Sequence, residues 1–352
     1  MRITSLSVAL AMVALAAGCH STSEPAPARS MAELEERLDA LRTQYHIAGM
    51  GAAIAKDQSI AWSRGFGLSD IAARRPVSDS TVFHLASLTK PIAATVILQL
   101  VDEGKVSLDD PASKYGITLS AQGTILVRHL LSHTSEGVPG THYSYNGNRF
   151  GELDSVIARA DGRSTAQAIQ ARIINRLGMF ATAPNTASPD FGVTGKSKSD
   201  YLAKVATGYT WSAFTFSSTS YPTYFGSAAG LMSTARDYAA FSMALDRDAL
   251  LAPATKALAF TPTRDAEGRD LPYGLGWFST LYKGERVIWH YGDWTANSSL
   301  IVKVPSRGLA FVLVANTEGL SLPFPLGSGQ LASSDFARAF LDAFLSDTPP
   351  IR

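Results

Sequence analysis

Strand-like runs stand near both ends of this chain, and a long helix-rich stretch separates them. That order limits the fold more than any other feature. Near the start, residues 50–56 and 59–66 flank Asp57-Gln58, which reads as a hairpin turn. Near the end, residues 286–291, 298–304 and 309–315 are strand-like and joined by short links. One link, Pro305-Ser306-Arg307-Gly308, is a plain turn sequence. Short links imply antiparallel neighbours. Residues 31–46 place Leu34, Leu38, Leu41 and Tyr45 on one helical face, and residues 330–345 form another amphipathic helix. Between the strand groups, residues 87–103 are the strongest helical segment: Leu88, Ile92, Val96 and Leu100 repeat every fourth residue and Gly104 stops them. Residues 156–177 and 235–245 are the next clearest. The order predicts an α+β fold, with one antiparallel sheet built from both ends, flanked by terminal helices, and a helical domain inserted. The sheet part would take residues 31–80 and 255–345, and the helical part 81–254.

Composition closes off other classes. Apolar residues make up 46% of the 352 and charged residues 17%, so the bulk of the chain can bury a core. Lys plus Arg is 31 and Asp plus Glu is 30, which leaves no basic excess to drive binding to nucleic acid. Cys19 is the single cysteine, so no internal disulfide and no multi-cysteine metal site is available.

The N-terminus is an address. Arg2 precedes an apolar run of small residues, 8–17, too short to span a bilayer comfortably. Ala16-Ala17-Gly18-Cys19 resembles a bacterial lipobox, in which Cys19 is lipidated after removal of residues 1–18. An ordinary secretory signal cut nearby is the other reading. Residues 19–30 are rich in Ser, Pro and Ala and suit a flexible tether. With no Asp after Cys19, the lipoprotein resemblance implies anchoring to the outer membrane, facing the periplasm.

Ser87-Leu88-Thr89-Lys90 is the one Ser-x-x-Lys in the chain. Such a spacing arises by chance about once in a chain of this make-up, and its placement gives it weight. It opens the strongest helix, and three residues apart the hydroxyl and the amine share a helical face. Free N–H groups and positive potential at a helix start disfavour the ammonium form and favour an alkoxide. A capping serine with a solvated lysine one turn on fits the same spacing. Sequence signatures for zinc, for a Gly-x-Ser-x-Gly elbow and for a phosphate loop are absent.

With these residues on view, the chain resembles the serine β-lactamase and penicillin-binding-protein-like superfamily, on its class C, D-aminopeptidase and family VIII esterase side. Ser87-Leu88-Thr89-Lys90-Pro91 is similar to the nucleophile motif. Leu108-Asp109-Asp110-Pro111 with Lys114-Tyr115, Leu130-Leu131-Ser132-His133-Thr134-Ser135, Leu177-Gly178-Met179, Ala229-Gly230-Leu231-Met232-Ser233-Thr234 and Tyr273-Gly274-Leu275-Gly276-Trp277 follow in family order. The resemblance spans residues 31–345. It implies Ser87 as nucleophile, with Lys90 and a tyrosine moving protons. In Tyr143-Ser144-Tyr145-Asn146-Gly147-Asn148, registering on Phe150 makes Tyr145 the catalytic tyrosine ahead of Tyr143. Gly147 then stands where the motif has Asn, and Asn146 or Asn148 takes over the substrate contact. The third motif is His290-Tyr291-Gly292, where relatives often carry Lys. A neutral His serves there as a hydrogen-bond donor to substrate and not as a fixed charge. The oxyanion would rest on the N–H groups of Ser87 and Asp293, which requires the Asp293 carboxylate to point away or be paired. His133 falls in a structural loop of the family.

The resemblance implies a serine hydrolase that needs no metal or cofactor. Its substrate would be a small ester, a D-residue peptide or a β-lactam, with ester or amide favoured. The alternative is a silent binding lipoprotein for peptidoglycan peptides or a protein partner. Lys90 and Tyr145 both remain candidates for the base, since coupled groups share their titration.

Overall fold

The structure is a computed structural model and describes residues 26–345 except 193, 194 and 196. Residues 1–18 and Cys19, expected above to be a signal peptide and a lipidation site, lie outside the described residues. Of the segment expected to be a tether, residues 26–30 are described and make contacts with the fold. Ala28 is buried in the core, Arg37 donates to the Ala26 carbonyl, and Ser30 caps the first helix by accepting the Glu33 N–H.

The main sheet has seven strands, all antiparallel. Their order is Arg75–Pro76, Ser59–Asp70, Gly49–Lys56, Leu309–Ala315, Asn297–Val304, Glu285–Trp294, Phe278–Tyr282. The first and last long strands meet at its centre, with Met50 opposite Ala315 and Lys56 opposite Leu309. Period-two alternation decides which face each side chain takes. Leu309, Phe311, Leu313 and Ala315 join one core with Leu34, Leu38, Phe336 and Phe340, from helices Met31–Gln44 and Asp335–Leu345. Ala310, Val312 and Val314 join the other core, beneath the helical part. Both faces are covered, so these strands read as continuous apolar runs.

Helix Thr89–Asp102 is the axis of the helical part. Every residue from Thr89 to Leu100 is buried, as expected of a helix apolar all round. Several boundaries differ from the sequence reading. The helix expected over 156–177 is two, because Gly162 takes a left-handed φ of 73° after Leu153–Asp161. Ser164 then restarts the chain with a capping box to Gln167. The helix expected from 330 begins at Asp335, after a single tight turn at Leu331–Ser333. The strand Phe278–Tyr282 and the hairpin Tyr209–Ser212 with Thr215–Ser218 were not foreseen. No helix among the described residues is long and apolar enough to cross a membrane.

Candidate active site

Ser87 sits in a tight turn, Ala86–Leu88, that runs directly into helix Thr89–Asp102. The turn is strained: Ala86, fully buried, holds a left-handed φ of 47°. Two side chains distant in sequence, and Thr89 within the turn's own helix, hold it. The Ser299 hydroxyl donates to the Leu85 carbonyl at 2.7 Å, and the Tyr238 hydroxyl to the Leu88 carbonyl at 2.7 Å. Thr89 Oγ1 donates to the Ala86 carbonyl and accepts the Leu231 N–H. The serine is thus placed by long-range hydrogen bonds as well as by its own helix.

Lys90 Nζ lies 2.8 Å from Ser87 Oγ and donates to the Ala228 carbonyl at 2.9 Å. The side chain is 1% exposed, and desolvation lowers its pKa to about 7. Near neutral pH a large fraction of this amine is uncharged and able to accept a proton. The Tyr145 ring lies 5.0 Å from Nζ and the Phe150 ring 5.6 Å.

The structure separates the two tyrosines. Tyr143 donates to the Gly327 carbonyl at 2.8 Å, away from the serine. The Tyr145 hydroxyl is buried with no hydrogen-bond partner within 3.5 Å. Burial pushes it well above the ordinary phenol range, and the nearby Ser87 hydroxyl draws it partly back. The two groups face each other without a formed bond. His133 holds the backbone on both sides: its carbonyl accepts the Ser144 N–H at 2.9 Å, and its Nδ1 accepts the Asn146 N–H at 3.1 Å.

The strand Glu285–Trp294 forms the opposite wall. Its pairing with Phe278–Tyr282 ends at Trp289, so residues 290–294 have no strand partner on that edge. There the strand meets the nucleophile turn at contact distance. A Cβ on Gly292 would lie 2.2 Å from the Leu85 carbonyl oxygen and 3.1 Å from Ser87 N. Only a glycine allows this approach.

Ser87 and Lys90 open onto a cavity of about 640 Å³, with Asn148, Tyr224, Asp293 and Trp294 on its walls. A family model described as Beta-lactamase matches residues 33–329. The chain belongs to the β-lactamase family. Penicillin-binding protein 4* of Bacillus subtilis is 24% identical over 335 residues, covering 81% of this chain and 71% of that protein. Esterase EstB of Burkholderia gladioli is 36% identical over 114 residues, 30% of this chain and 29% of the esterase. Among solved structures, the octameric penicillin-binding protein homologue from Pyrococcus abyssi superposes with a TM-score of 0.75 at 20% identity, covering 88% of this chain and 76% of that one. That likeness shows the fold. The family is one of serine hydrolases.

Two of the residues expected from the β-lactamase-family motifs to contact substrate are engaged within the protein. His290 is fully buried, and both ring nitrogens are taken. Nδ1 donates to the Tyr291 carbonyl at 2.6 Å, which leaves Nε2 to accept the Tyr273 hydroxyl at 2.8 Å. Burial and the neighbouring Lys90 hold its pKa well below the ordinary imidazole value, so it is neutral. Asn146 is likewise engaged: Oδ1 caps a helical turn by accepting the Arg149 N–H, and Nδ2 donates to Glu136 at 2.5 Å. Asn148, exposed on the cavity wall, is the asparagine that faces the open space. Gly147 stands beside it, and a Cβ there would meet Lys90 Nζ at 3.9 Å, an ordinary contact.

Asp293 lies at the cavity wall, open to water on one side and surrounded by protein on the others. Desolvation and then Glu318 raise its carboxyl to about 6. The wall residues Glu152, Asp154, Tyr224 and Trp294 have no counterpart in the motif reading. They come from segments with no local chemical signature, and only the fold brings them to the serine. No group of three His, Cys, Asp or Glu side chains among the described residues is placed to hold a metal ion.

Proposed function

We propose that this chain is a serine hydrolase acting through a Ser87 acyl-enzyme on a small ester or amide. One observation carries the reading: a fully buried amine, Lys90, 2.8 Å from the hydroxyl that opens the central helix. Ser87 Oγ attacks the substrate carbonyl carbon as its proton passes to Lys90 Nζ. The carbonyl oxygen becomes an oxyanion, held by the backbone N–H groups of Ser87 and Asp293. Collapse breaks the bond to the leaving group, which takes the proton back through Lys90 or Tyr145. Water then attacks the acyl ester, loses a proton to the same pair, and frees the acid and Ser87.

Esters and amides are favoured over β-lactams. A β-lactam presents a carboxylate, and His290, the residue at the usual site of a fixed cation, is neutral and buried here. EstB is named as an esterase, which accords with this choice. The decisive measurement is the intact mass of the protein after treatment with a fluorophosphonate. A single adduct on the wild type, absent from Ser87→Ala, is expected. No adduct on folded protein would overturn the reading.

We also propose that the chain is exported and anchored through Cys19 to the outer membrane, facing the periplasm. The support is the apolar run 8–17 followed by Gly18-Cys19. Metabolic labelling with a fatty-acid probe should mark the wild type and not Cys19→Ala.

A further inference from the structure

The cavity over Ser87 is negatively charged. Glu152, Asp154 and Asp293 line it, and among the described residues on its walls Lys90 alone is basic. Asp154 is engaged in structure: its Oδ1 accepts the Thr165 hydroxyl at 2.6 Å and the Ser227 N–H at 2.7 Å. The side chains of Glu152 and Asp293 differ. Neither makes a hydrogen bond or ion pair with any described residue. Asp293 also faces Glu318, whose Oε1 accepts the Ala296 N–H.

Two unpaired carboxylates on one concave wall set up a negative potential there that attracts a positively charged group. Two aromatic rings stand on the same walls. Tyr224 and Trp294 both line the cavity, with ring centroids 6.1 Å apart and planes inclined at 53°. Aromatic faces beside carboxylates suit an ammonium group. A separate observation marks where the reacting end of a ligand belongs. The Tyr145 hydroxyl is buried, lacks a partner, and feels both Ser87 and Asp293.

We propose that the substrate carries a positive charge, a primary or quaternary ammonium, seated by Glu152 and Asp293 against Tyr224 and Trp294 while its carbonyl lies at Ser87. This deepens the hydrolase reading and rests on it. The same charges repel a substrate carboxylate, so acidic esters and β-lactams are poor ligands for this cavity.

The test uses esters that differ only in charge. One set is the p-nitrophenyl esters of 4-(trimethylammonio)butanoate, its uncharged isostere 5,5-dimethylhexanoate, and glutarate as the anion. The second set, butyrylcholine against 3,3-dimethylbutyl butyrate, moves the charge to the leaving group. In at least one set the cationic ester should exceed its neutral isostere by about tenfold in kcat/KM, the scale of a cation held by aromatic faces and carboxylates. The ratio should fall with added salt. It should drop toward one in Glu152→Gln and in Asp293→Asn. Because the ratio is taken within one variant, a loss of absolute rate at Asp293 does not disturb it.

A ratio of one or less in both sets, or a preference unchanged in both variants, would overturn the inference. Failure to turn over any ester while Ser87 still takes the fluorophosphonate would overturn it too, with the nucleophile standing. If Ser87 takes no label, the hydrolase reading itself fails.

Discussion

The ring of His133 lies 4.3 Å from the ring of Tyr145, centroid to centroid, and its hydrogen bonds hold the residues on either side of that tyrosine. Because Nδ1 accepts the Asn146 N–H, the ring proton sits on Nε2, which has no partner. Burial, with Lys90 and His290 nearby, keeps the imidazole neutral. His133 is a positioning residue and not a base. We expect His133→Ala to lower kcat by about 10- to 100-fold through misplacement of Tyr145, with a smaller change in KM. His133→Asn, whose side-chain oxygen can accept the Asn146 N–H, should recover part of the loss. A shift in the pH–rate profile of either variant would contradict a positioning role.

Lys90 predicts a pH profile. With its pKa near 7, the rate of Ser87 acylation should rise with unit slope below about pH 7 and level off above it. Stability follows the opposite logic. The folded-state pKa is depressed from 10.5, so folding is penalised wherever the unfolded chain is protonated, because the folded state must give up the proton or bury the charge. The penalty is absent above pH 10.5, grows as pH falls, and is complete below about pH 7. Lys90→Met should therefore be nearly inactive yet melt at a higher temperature, with the gain larger at pH 6.5 than at pH 9.5. Calorimetry at the two pH values checks the sign.

The two tyrosines give a paired test. Tyr145→Phe should cut acylation by about 10²- to 10³-fold, within the range of a lost proton-transfer group, with little change in melting temperature. Tyr143→Phe removes the bond to the Gly327 carbonyl and should cost about 1 kcal/mol of stability while sparing most of the turnover. Equal losses of activity in both variants would reverse the assignment.

Gly292 tests the close approach of strand and nucleophile. A methyl group there would sit 2.2 Å from the Leu85 carbonyl oxygen and 2.3 Å from Ser299 Oγ. The carbonyl belongs to the strained turn and cannot yield without moving Ser87. Gly292→Ala should lower turnover by at least about 10²-fold through misalignment. It should cost about 1–3 kcal/mol from overpacking. Stopped-flow acylation and a denaturant melt measure the two effects separately.

How much of this was legible depended on distance along the chain. The Ser87–Lys90 relationship is local in sequence: a spacing of three across the turn and the first turn of the helix puts hydroxyl and amine on one face. The strand runs were legible because period-two burial and short turns are local patterns too. Helix 156–177 misled because its apolar spacing continues across Gly162, and only the left-handed turn there divides it. Asn146 and Asn148 looked interchangeable in sequence. The backbone turn decided between them, sending one side chain to Glu136 and the other to the cavity.

By itself the sequence determined the α+β order, the family motifs, and the serine and lysine that open the central helix. Tertiary structure decided what those groups can do. Lys90 is held by the Ala228 carbonyl, 138 positions away, in surroundings dry enough to lower its pKa to about 7. His290 has both ring nitrogens engaged, by the Tyr273 hydroxyl and the Tyr291 carbonyl. The charge of the cavity comes from Glu152 and Asp293, which are remote in sequence. The reason is physical: spacing along a helix fixes which atoms are neighbours, but desolvation and charge are summed over every segment that packs around them.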